Sequence, residues 1–269
     1  MNTKLTTFLL IFFGFAIGYS QEDDQPETAG ENFSLEGALA IFKEAKSLED
    51  FEKAINEENN NVNNLDLNND GEIDYITVTD IKENDTHVIV LSTYLNETEK
   101  QDIATIGIEK TGNEEAQLQI EGDADLYADN TIVEPFDVDE KTDKKNGPNA
   151  FDISPTRVVV NVWLWPSVRF LYAPGYVVWV SPYRWGNYPR WWRPWKPFRH
   201  TVFYGRCAPH RVYYHKTTVR RVTVARRVYA PKRKTSTLVV KNRRGTTVVR
   251  KTNRGTKVVK VKRTPARRR

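Results

Sequence analysis

Acidic and basic residues are segregated along this chain. All 35 acidic residues lie at or before Asp152, and residues 21–152 hold only nine lysines, which gives that stretch a net formal charge of −26. Residues 153–269 carry 30 lysines and arginines and no aspartate or glutamate, so the whole-chain charge of +5 hides two opposed blocks. All 21 arginines and all seven tryptophans also lie beyond Asp152. A single compact domain rarely separates composition so sharply, which predicts a boundary within the linker-like run DEKTDKKNGP, residues 139–148.

The first twenty residues have the pattern of a secretory signal peptide. Lys4 precedes an apolar stretch from Leu5 to about Gly18, and the small residue Ser20 comes just before Gln21. The apolar run has about 14 residues, short of the roughly 20 that a membrane-spanning helix needs. We therefore expect cleavage after Ser20 and export to the periplasm, the outer-membrane surface or the medium. The single Cys207 cannot form a disulfide within the chain.

These features predict six segments. They are a signal peptide (1–20), a polar leader (21–33), an acidic α+β domain (34–138), a linker (139–155), a Trp/Pro/Arg-rich β-like segment (156–206) and a basic low-complexity tail (207–269).

The acidic segment changes its apolar period partway along. Ser34 begins SLEGALAIFKEA and Ser47 begins SLEDFEKAI, both with apolar residues at helical spacing, and Ser47 with Asp50 predicts a capping box. Further on, HVIVLSTYL, DIATIGIEK and AQLQIEG are rich in β-branched residues and are separated by turn-forming runs. The expected fold is therefore two short helices on one face of an antiparallel sheet of about four strands.

One loop carries a metal-binding pattern. Residues 66–74, DLNNDGEID, place oxygen-bearing side chains at positions 1, 3, 5 and 9 and a glycine at position 6, which suits a hard cation such as Ca²⁺. An EF-hand needs a glutamate at position 12, which here is Thr77. An Asx-rich turn without a metal is the alternative, because Asn, Asp and Gly favour turns.

The loop resembles the calcium loop of FG-GAP repeats, in which such a loop runs directly into a strand. The resemblance implies side-chain ligands from Asp66, Asn68, Asp70 and Asp74, a backbone carbonyl from Glu72, and a structural Ca²⁺ ion. Only one copy is present, whereas a propeller needs about four or more blades.

The region after the linker is rich in rings, prolines and cations. The runs RVVVNVWLW and VRFLYAPGYVVWV predict short strands. In the following run, YRWGNYPRWWRPWKPFR, the candidate surface-binding residues are Trp185, Arg190, Trp191, Trp192, Arg193 and Trp195. Such chemistry suits an anionic membrane interface, a polysaccharide or single-stranded nucleic acid. The alternative is that these rings form a core of their own or cover the acidic domain.

The last part of the chain alternates valine with arginine and lysine and repeats RGTTVVR as RGTKVVK. Self-repulsion of about 20 cations predicts a tail that is disordered alone and that binds polyanions with steep salt dependence. A solubilising tail is the alternative. The acidic domain is also available as a partner, within one molecule or between molecules.

No enzymatic motif emerges from the sequence. The four histidines, His87, His200, His210 and His215, are scattered, and the spacing CAPHRVYYH after residue 206 matches no strong zinc pattern. Glycine-rich phosphate loops, nucleophile elbows and HExxH are absent from the sequence. We expect a binding or structural protein with no small-molecule substrate. The alternative is a periplasmic or secreted hydrolase or sensor module that uses carboxylates of the acidic domain.

The layout resembles a group of uncharacterised exported proteins of Gram-negative bacteria. The residues that carry the resemblance are SLEDFEKAIN, VNNLDLNNDGEIDYITV, QDIATIGIEK and NVWLWPSVRFLYAPGYVVWVSPYRW, within residues 34–200. The resemblance implies a cell-envelope protein and brings no activity with it. Together, these patterns predict attachment to an anionic surface through the basic aromatic half.

Overall fold

The structure is a computed structural model that describes residues 26–138 and 157–237, together with three strands further along the chain. The predicted signal peptide and the predicted linker lie outside these residues.

Two capped helices open the described part of the chain. Helix α1 spans Leu35–Glu44 and helix α2 spans Leu48–Ile55. The Ser34 hydroxyl accepts a hydrogen bond from the Gly37 N–H, and the Ser47 hydroxyl accepts one from the Asp50 N–H, each at 3.0 Å. Both serines therefore act as N-caps, as the sequence predicts.

An antiparallel sheet of seven strands lies beside the helices. Its strands are β1 (Ile76–Glu83), β2 (Thr86–Tyr94), β3 (Lys100–Gly112), β4 (Glu115–Gly122), β5 (Ile132–Val138), β6 (Arg157–Val159) and β7 (Tyr214–Thr217). The first six pair in chain order, and β7 pairs with β5. Sequential antiparallel pairing with helices makes the fold α+β, in agreement with the sequence-based expectation.

The main hydrophobic core lies between the sheet and helices α1 and α2. Leu39 and Phe42 of α1, Phe51 of α2 and Ile89 and Leu91 of β2 are all buried in it. Alternate residues of a strand point to opposite faces, so Val88 and Val90 of β2 face the other way.

The second face of the sheet is covered as well. Helix α5, Thr223–Tyr229, packs there and places Val222, Ala225 and Val228 against Val88 and Val90. The approach is close, because a Cβ on Gly107 of β3 would lie 2.8 Å from the Ala225 Cβ. The sequence predicts cover on one face only, and this second layer comes from the segment expected to be a disordered tail.

Residues 157–206 match the predicted strands only in part, because β6 begins the first predicted strand at Arg157 and ends at Val159. Helix α3 spans Pro166–Leu171 with proline at its first position, where a missing N–H costs nothing, so the start of the second predicted strand is helical. Helix α4 spans His200–Arg206. In the second predicted strand, residues 168–180, the β pairing is a single bridge between Val180 and Thr79 at the free edge of β1. There the Asp80 N–H donates to the Trp179 carbonyl at 2.8 Å and the Ser181 N–H donates to the Val78 carbonyl at 3.0 Å.

The predicted tail also differs from expectation over residues 207–237, which contain β7 and α5. Further on, strands β8 (Val239–Asn242), β9 (Gly245–Thr252) and β10 (Gly255–Lys260) pair as a separate antiparallel sheet. Among the described helices, none has the length and apolar character needed to cross a bilayer.

Candidate functional site

The predicted calcium loop and the predicted surface segment lie side by side. The Ile73 N–H donates to the Trp195 carbonyl at 2.8 Å. The Asn64 side chain donates to the Phe198 carbonyl at 3.0 Å and accepts from the Phe198 N–H at 2.8 Å. Three hydrogen bonds thus join the beginning and end of the acidic loop region to the tryptophan-rich segment.

Side-chain oxygens organise the loop itself. The Asp66 carboxylate accepts hydrogen bonds from the N–H groups of Asp70 and Gly71, at 3.1 and 3.0 Å. The Asp74 carboxylate accepts from the Leu67 N–H at 2.6 Å. Gly71 has φ of +90°, a left-handed conformation that glycine adopts without strain. The tight turn that the sequence predicts at position 6 is therefore present.

The remaining predicted ligands occupy the exposed side of the same turn. Asn68 accepts from the Asp70 N–H and donates to the Asp70 carboxylate, both at 2.8 Å, and Glu72 is exposed. Burial raises the pKa of Asp66 and raises that of Asp74 well above its usual value. Among the described residues no group of three or more histidine, cysteine or acidic side chains converges on one metal position. The loop's carboxylates are held by backbone N–H groups, so its geometry is that of an Asx-rich turn with adjacent oxygen donors.

A cluster of rings surrounds Tyr75, directly after this loop. Its ring centroid lies 5.6 Å from that of Tyr183, 5.4 Å from Tyr188, 6.5 Å from Trp191 and 5.1 Å from Trp192. Aromatic pairs at these separations stabilise the contact beyond simple burial. The tryptophan-rich segment is thereby anchored to the acidic half through aromatic packing.

The six candidate surface residues occupy different environments. Arg190, Trp191 and Arg193 are exposed, and 44% of the surface of Trp191 is accessible. Trp185 and Trp195 are half-buried, whereas Trp192 is buried at 8% exposure, and its ring packs under the segment. Trp192 is therefore a packing residue and is not available to a surface ligand. This assignment corrects the sequence-based expectation, in which it shares the surface role of Trp191.

Exposed apolar side chains are concentrated in the basic half. All thirteen large hydrophobic residues that are exposed within the described parts of the chain fall between Val159 and Val224. The acidic half contributes none of these thirteen. Apolar groups clustered in one region of a surface are typical of binding sites.

Exposed cations accompany these apolar groups. Arg184, Arg190, Arg193, Lys196 and Arg199 are exposed, and none of them forms a salt bridge with a carboxylate of the described residues. The Arg193 guanidinium instead donates to the carbonyls of Arg190 and Trp192, at 2.9 and 2.8 Å, which fixes the local turn. Positive charge on this segment is thus left without an acidic partner in the described residues.

A second set of arginines forms ion pairs within the fold. Arg220 pairs with Glu121 at 2.5 Å, and Arg221 pairs with Glu134 at 3.1 Å. The Arg233 guanidinium binds both oxygens of Asp123, at 2.6 and 2.7 Å. Burial raises the pKa of Asp123 even though the hydrogen bonds from this guanidinium favour the ionised carboxylate. These pairs fasten residues 220–233 to the acidic sheet.

Glu52 is a buried carboxylate that sequence analysis did not single out. It accepts hydrogen bonds from the Ser181 hydroxyl at 2.6 Å, the Tyr75 hydroxyl at 3.1 Å, and the Trp179 indole and Val78 backbone N–H groups at 3.2 Å. Burial raises its pKa, opposed by these hydrogen bonds. A signal was present, because Glu52 sits four residues after Leu48 on the apolar stripe of α2.

A second buried polar cluster involves His87. Its Nδ1 lies 2.8 Å from the Asp80 carboxylate, which also accepts from the Tyr176 hydroxyl at 2.8 Å. Tyr172 and Tyr176 pack edge-on against the imidazole. Both His87 and Asp80 have side chains with no exposure, so the cluster joins residues 172–176 to the sheet and presents neither of these two groups to solvent.

The other histidines and the cysteine have separate partners. His200 lies 3.9 Å from Glu31, His215 lies 3.7 Å from Glu134, and His210 contacts the Asn60 carbonyl at 3.4 Å. The Cys207 thiol donates to the Asn61 carbonyl at 3.2 Å. These distances bring no zinc-type set together within the part of the chain that the structure describes.

No protein-family model, curated protein or solved structure matches this chain.

Proposed function

We propose that this protein is an exported cell-envelope binding protein that attaches to an anionic surface or polymer through its basic aromatic half. The observation that carries the proposal is the joint exposure of Arg190, Trp191 and Arg193. Exposed cations that have no acidic partner among the described residues lie in the same segment as exposed apolar groups. An anionic ligand gains charge neutralisation from the arginines and ring contact from the tryptophan.

The acidic half serves as the scaffold in this proposal. The Tyr75 ring cluster and the two hydrogen bonds that Trp179 and Ser181 donate to Glu52 hold residues 179–192 on the sheet. A Ca²⁺ ion at residues 66–74 would stiffen the loop that contacts Trp195, with Asp66, Asn68, Asp70 and Asp74 as side-chain donors and Glu72 as the carbonyl donor. Its role is structural.

The decisive experiment is a salt-titrated pull-down of the full-length mature protein. The targets are anionic vesicles, an acidic polysaccharide and double-stranded DNA, each with and without calcium. We expect binding to at least one target, with affinity that falls steeply as salt rises because bound counterions are released. Absence of binding to all three at low salt would refute the proposal.

Matched variants locate the interaction. Trp191→Ala removes an exposed ring, and Arg190→Gln removes an exposed cation that pairs with no described carboxylate. Lys46→Gln removes an exposed cation from the acidic half and serves as the charge control. We expect the first two to weaken binding several-fold and the control to leave it unchanged. Equal effects from Arg190→Gln and Lys46→Gln would mean that net charge alone drives attachment.

Export has its own test. Residues 1–20 are proposed to be removed after Ser20, so the N-terminal sequence of protein recovered from the envelope fraction of its native host is expected to start at Gln21. Recovery of the intact N-terminus from the cytoplasmic fraction alone would contradict export.

A further inference from the structure

A cavity among the described residues shares no lining residue with the Arg190–Arg193 surface. It has a volume of about 710 Å³ and opens between the start of α1 and the α4–β7 region. Cavities that bind small organic ligands usually measure roughly 300–1,000 Å³. The size of this cavity is therefore suited to a ligand of one or two rings.

One wall carries a fixed aromatic ring. The Arg211 guanidinium lies 3.8 Å from the centroid of the Tyr204 ring, and its terminal nitrogen donates to the Tyr204 carbonyl at 2.7 Å. Tyr204 remains 56% exposed although it lines the cavity. Its orientation is thus set by Arg211 while ring surface stays available for stacking. Phe33, Tyr127 and Tyr214 add further apolar lining.

The cavity lining also includes a carboxylate that has no partner among the described residues. Glu36 is 9% exposed, lines the cavity, and forms no hydrogen bond or salt bridge with any other described residue. It lies in the first turn of α1, where the helix dipole favours negative charge. With no donor from a described residue, the Glu36 carboxylate can accept hydrogen bonds from hydroxyl or amine groups of a ligand inside the cavity.

The remaining polar lining supplies both donors and acceptors. Arg211 and Lys216 are donors, and Lys216 forms no salt bridge with a described carboxylate. Glu31 is an acceptor already engaged by the Thr28 hydroxyl at 3.4 Å and the Glu27 N–H at 3.2 Å. A long acyl chain would leave Glu36 unsatisfied, and a phosphate group would be repelled by the carboxylates. A ring with one apolar face and several hydroxyl groups matches both the aromatic and the polar residues of this lining.

We propose that this cavity binds a saccharide unit. The sugar ring stacks on Tyr204, hydroxyl groups donate to Glu36, and Lys216 donates to oxygens on the other side of the ring. This site is distinct from the anionic-surface segment and shares no residue with Arg190, Trp191 and Arg193. It extends the proposed function by giving the protein a second, uncharged mode of contact with envelope glycans.

The test is calorimetric titration of the full-length mature protein with soluble oligosaccharides. The panel contains glucose oligomers, N-acetylglucosamine oligomers and galacturonic acid oligomers. Binding of at least one neutral oligomer, little affected by salt, is expected. Binding of the acidic oligomer alone, with affinity lost at high salt, would overturn the proposal, as would no binding to the whole panel.

Three variants assign any binding to the cavity. Tyr204→Ala removes the stacking surface, and Glu36→Gln keeps the side-chain shape while removing the charged acceptor. Each is expected to weaken saccharide binding about tenfold. Tyr213→Ala, at a tyrosine that is 69% exposed and does not line this cavity, is the control and is expected to have no effect. Unchanged affinity in both cavity variants, with unchanged thermal unfolding, would place the site elsewhere and refute the assignment.

Failure here is distinguishable from failure of the proposed function. Trp191→Ala and Arg190→Gln are expected to leave saccharide titrations unchanged while they weaken attachment to anionic targets. The cavity variants are expected to do the reverse.

Discussion

The Ser181 hydroxyl donates a hydrogen bond to the buried Glu52 carboxylate at 2.6 Å, across 129 positions of sequence. This contact joins the acidic and basic halves through a hydrogen bond from a neutral side chain, and not through an ion pair. Tyr75 and Trp179 converge on the same carboxylate. Glu52 therefore connects helix α2, strand β1 and the edge segment at 179–181 through hydrogen bonds.

Replacement of Glu52 by glutamine is expected to destabilise the protein by about 1–3 kcal/mol, because an amide cannot satisfy all four donors and buried donors without a partner are costly. Urea unfolding measures the change. Glu49→Gln, at an exposed position of the same helix, is the control and is expected to have little effect.

The same variant has a pH signature. Burial raises the pKa of Glu52 in the folded state, so the protonated form contributes stability that is fully present below the unfolded pKa of about 4.5 and is lost as pH rises through the folded pKa. The loss caused by Glu52→Gln is thus expected to be larger near pH 4 than near pH 7. A loss that grows toward neutral pH would mean that the hydrogen bonds lower the pKa overall.

Local patterns predicted much of the acidic half of the fold, although they did not predict β5. Ser34 and Ser47 predicted the helix starts because capping depends on nearest neighbours in sequence, and alternation predicted β2, β3 and β4. Glu52 was missed because its donors come from residues 75–181, a separation that no local pattern encodes.

The basic half was harder to predict for a similar reason. Composition from residue 207 onward indicated self-repulsion, yet Arg220, Arg221 and Arg233 pair with carboxylates of the sheet. Charge segregation along the chain therefore reflects complementary layers within one fold over the described residues. Trp191 and Trp192 are adjacent in sequence but differ in exposure, because the Trp192 ring packs against Tyr75 and Tyr188.

A methyl group at Gly107 is expected to disturb α5. The Cβ of a Gly107→Ala variant would lie 2.8 Å from the Ala225 Cβ and 3.0 Å from a methyl carbon of Val222, so the helix must shift. We expect a loss of about 1–3 kcal/mol, typical of overpacking. Hydrogen exchange of residues 223–229 should accelerate. In the control, Gly112→Ala, the nearest atom is the carboxylate of Glu115, a flexible side chain that can move aside.

Arg233 should be essential for attachment of the residues around it. Arg233→Ala leaves the Asp123 carboxylate buried without its guanidinium, and we expect destabilisation of about 1–3 kcal/mol, since a hydrogen bond to a charged group contributes about that much. Lys232→Ala, at the neighbouring exposed position, is expected to be neutral. Equal stability of the two variants in urea would show that the ion pair contributes nothing net.

Calcium binding at residues 66–74 can be detected through stability. Burial raises the pKa of Asp74 in the folded state, so without metal its ionisation lowers stability as pH rises above the unfolded value of about 3.8. Asp74→Asn removes that penalty and is expected to be at least as stable as the wild type at pH 7 in chelator.

Added calcium should reverse this order. An ion that binds only the folded state stabilises it by about 1.4 kcal/mol at ten times its dissociation constant. The wild type and the control Glu83→Gln, at the exposed end of β1, are expected to gain stability as calcium rises to millimolar levels, whereas Asp74→Asn is not. Thermal unfolding across a calcium titration measures the difference. Identical curves for wild type and Asp74→Asn would show that the loop is an Asx-rich turn with no metal, leaving the contact between Ile73 and Trp195 to be maintained by the protein alone.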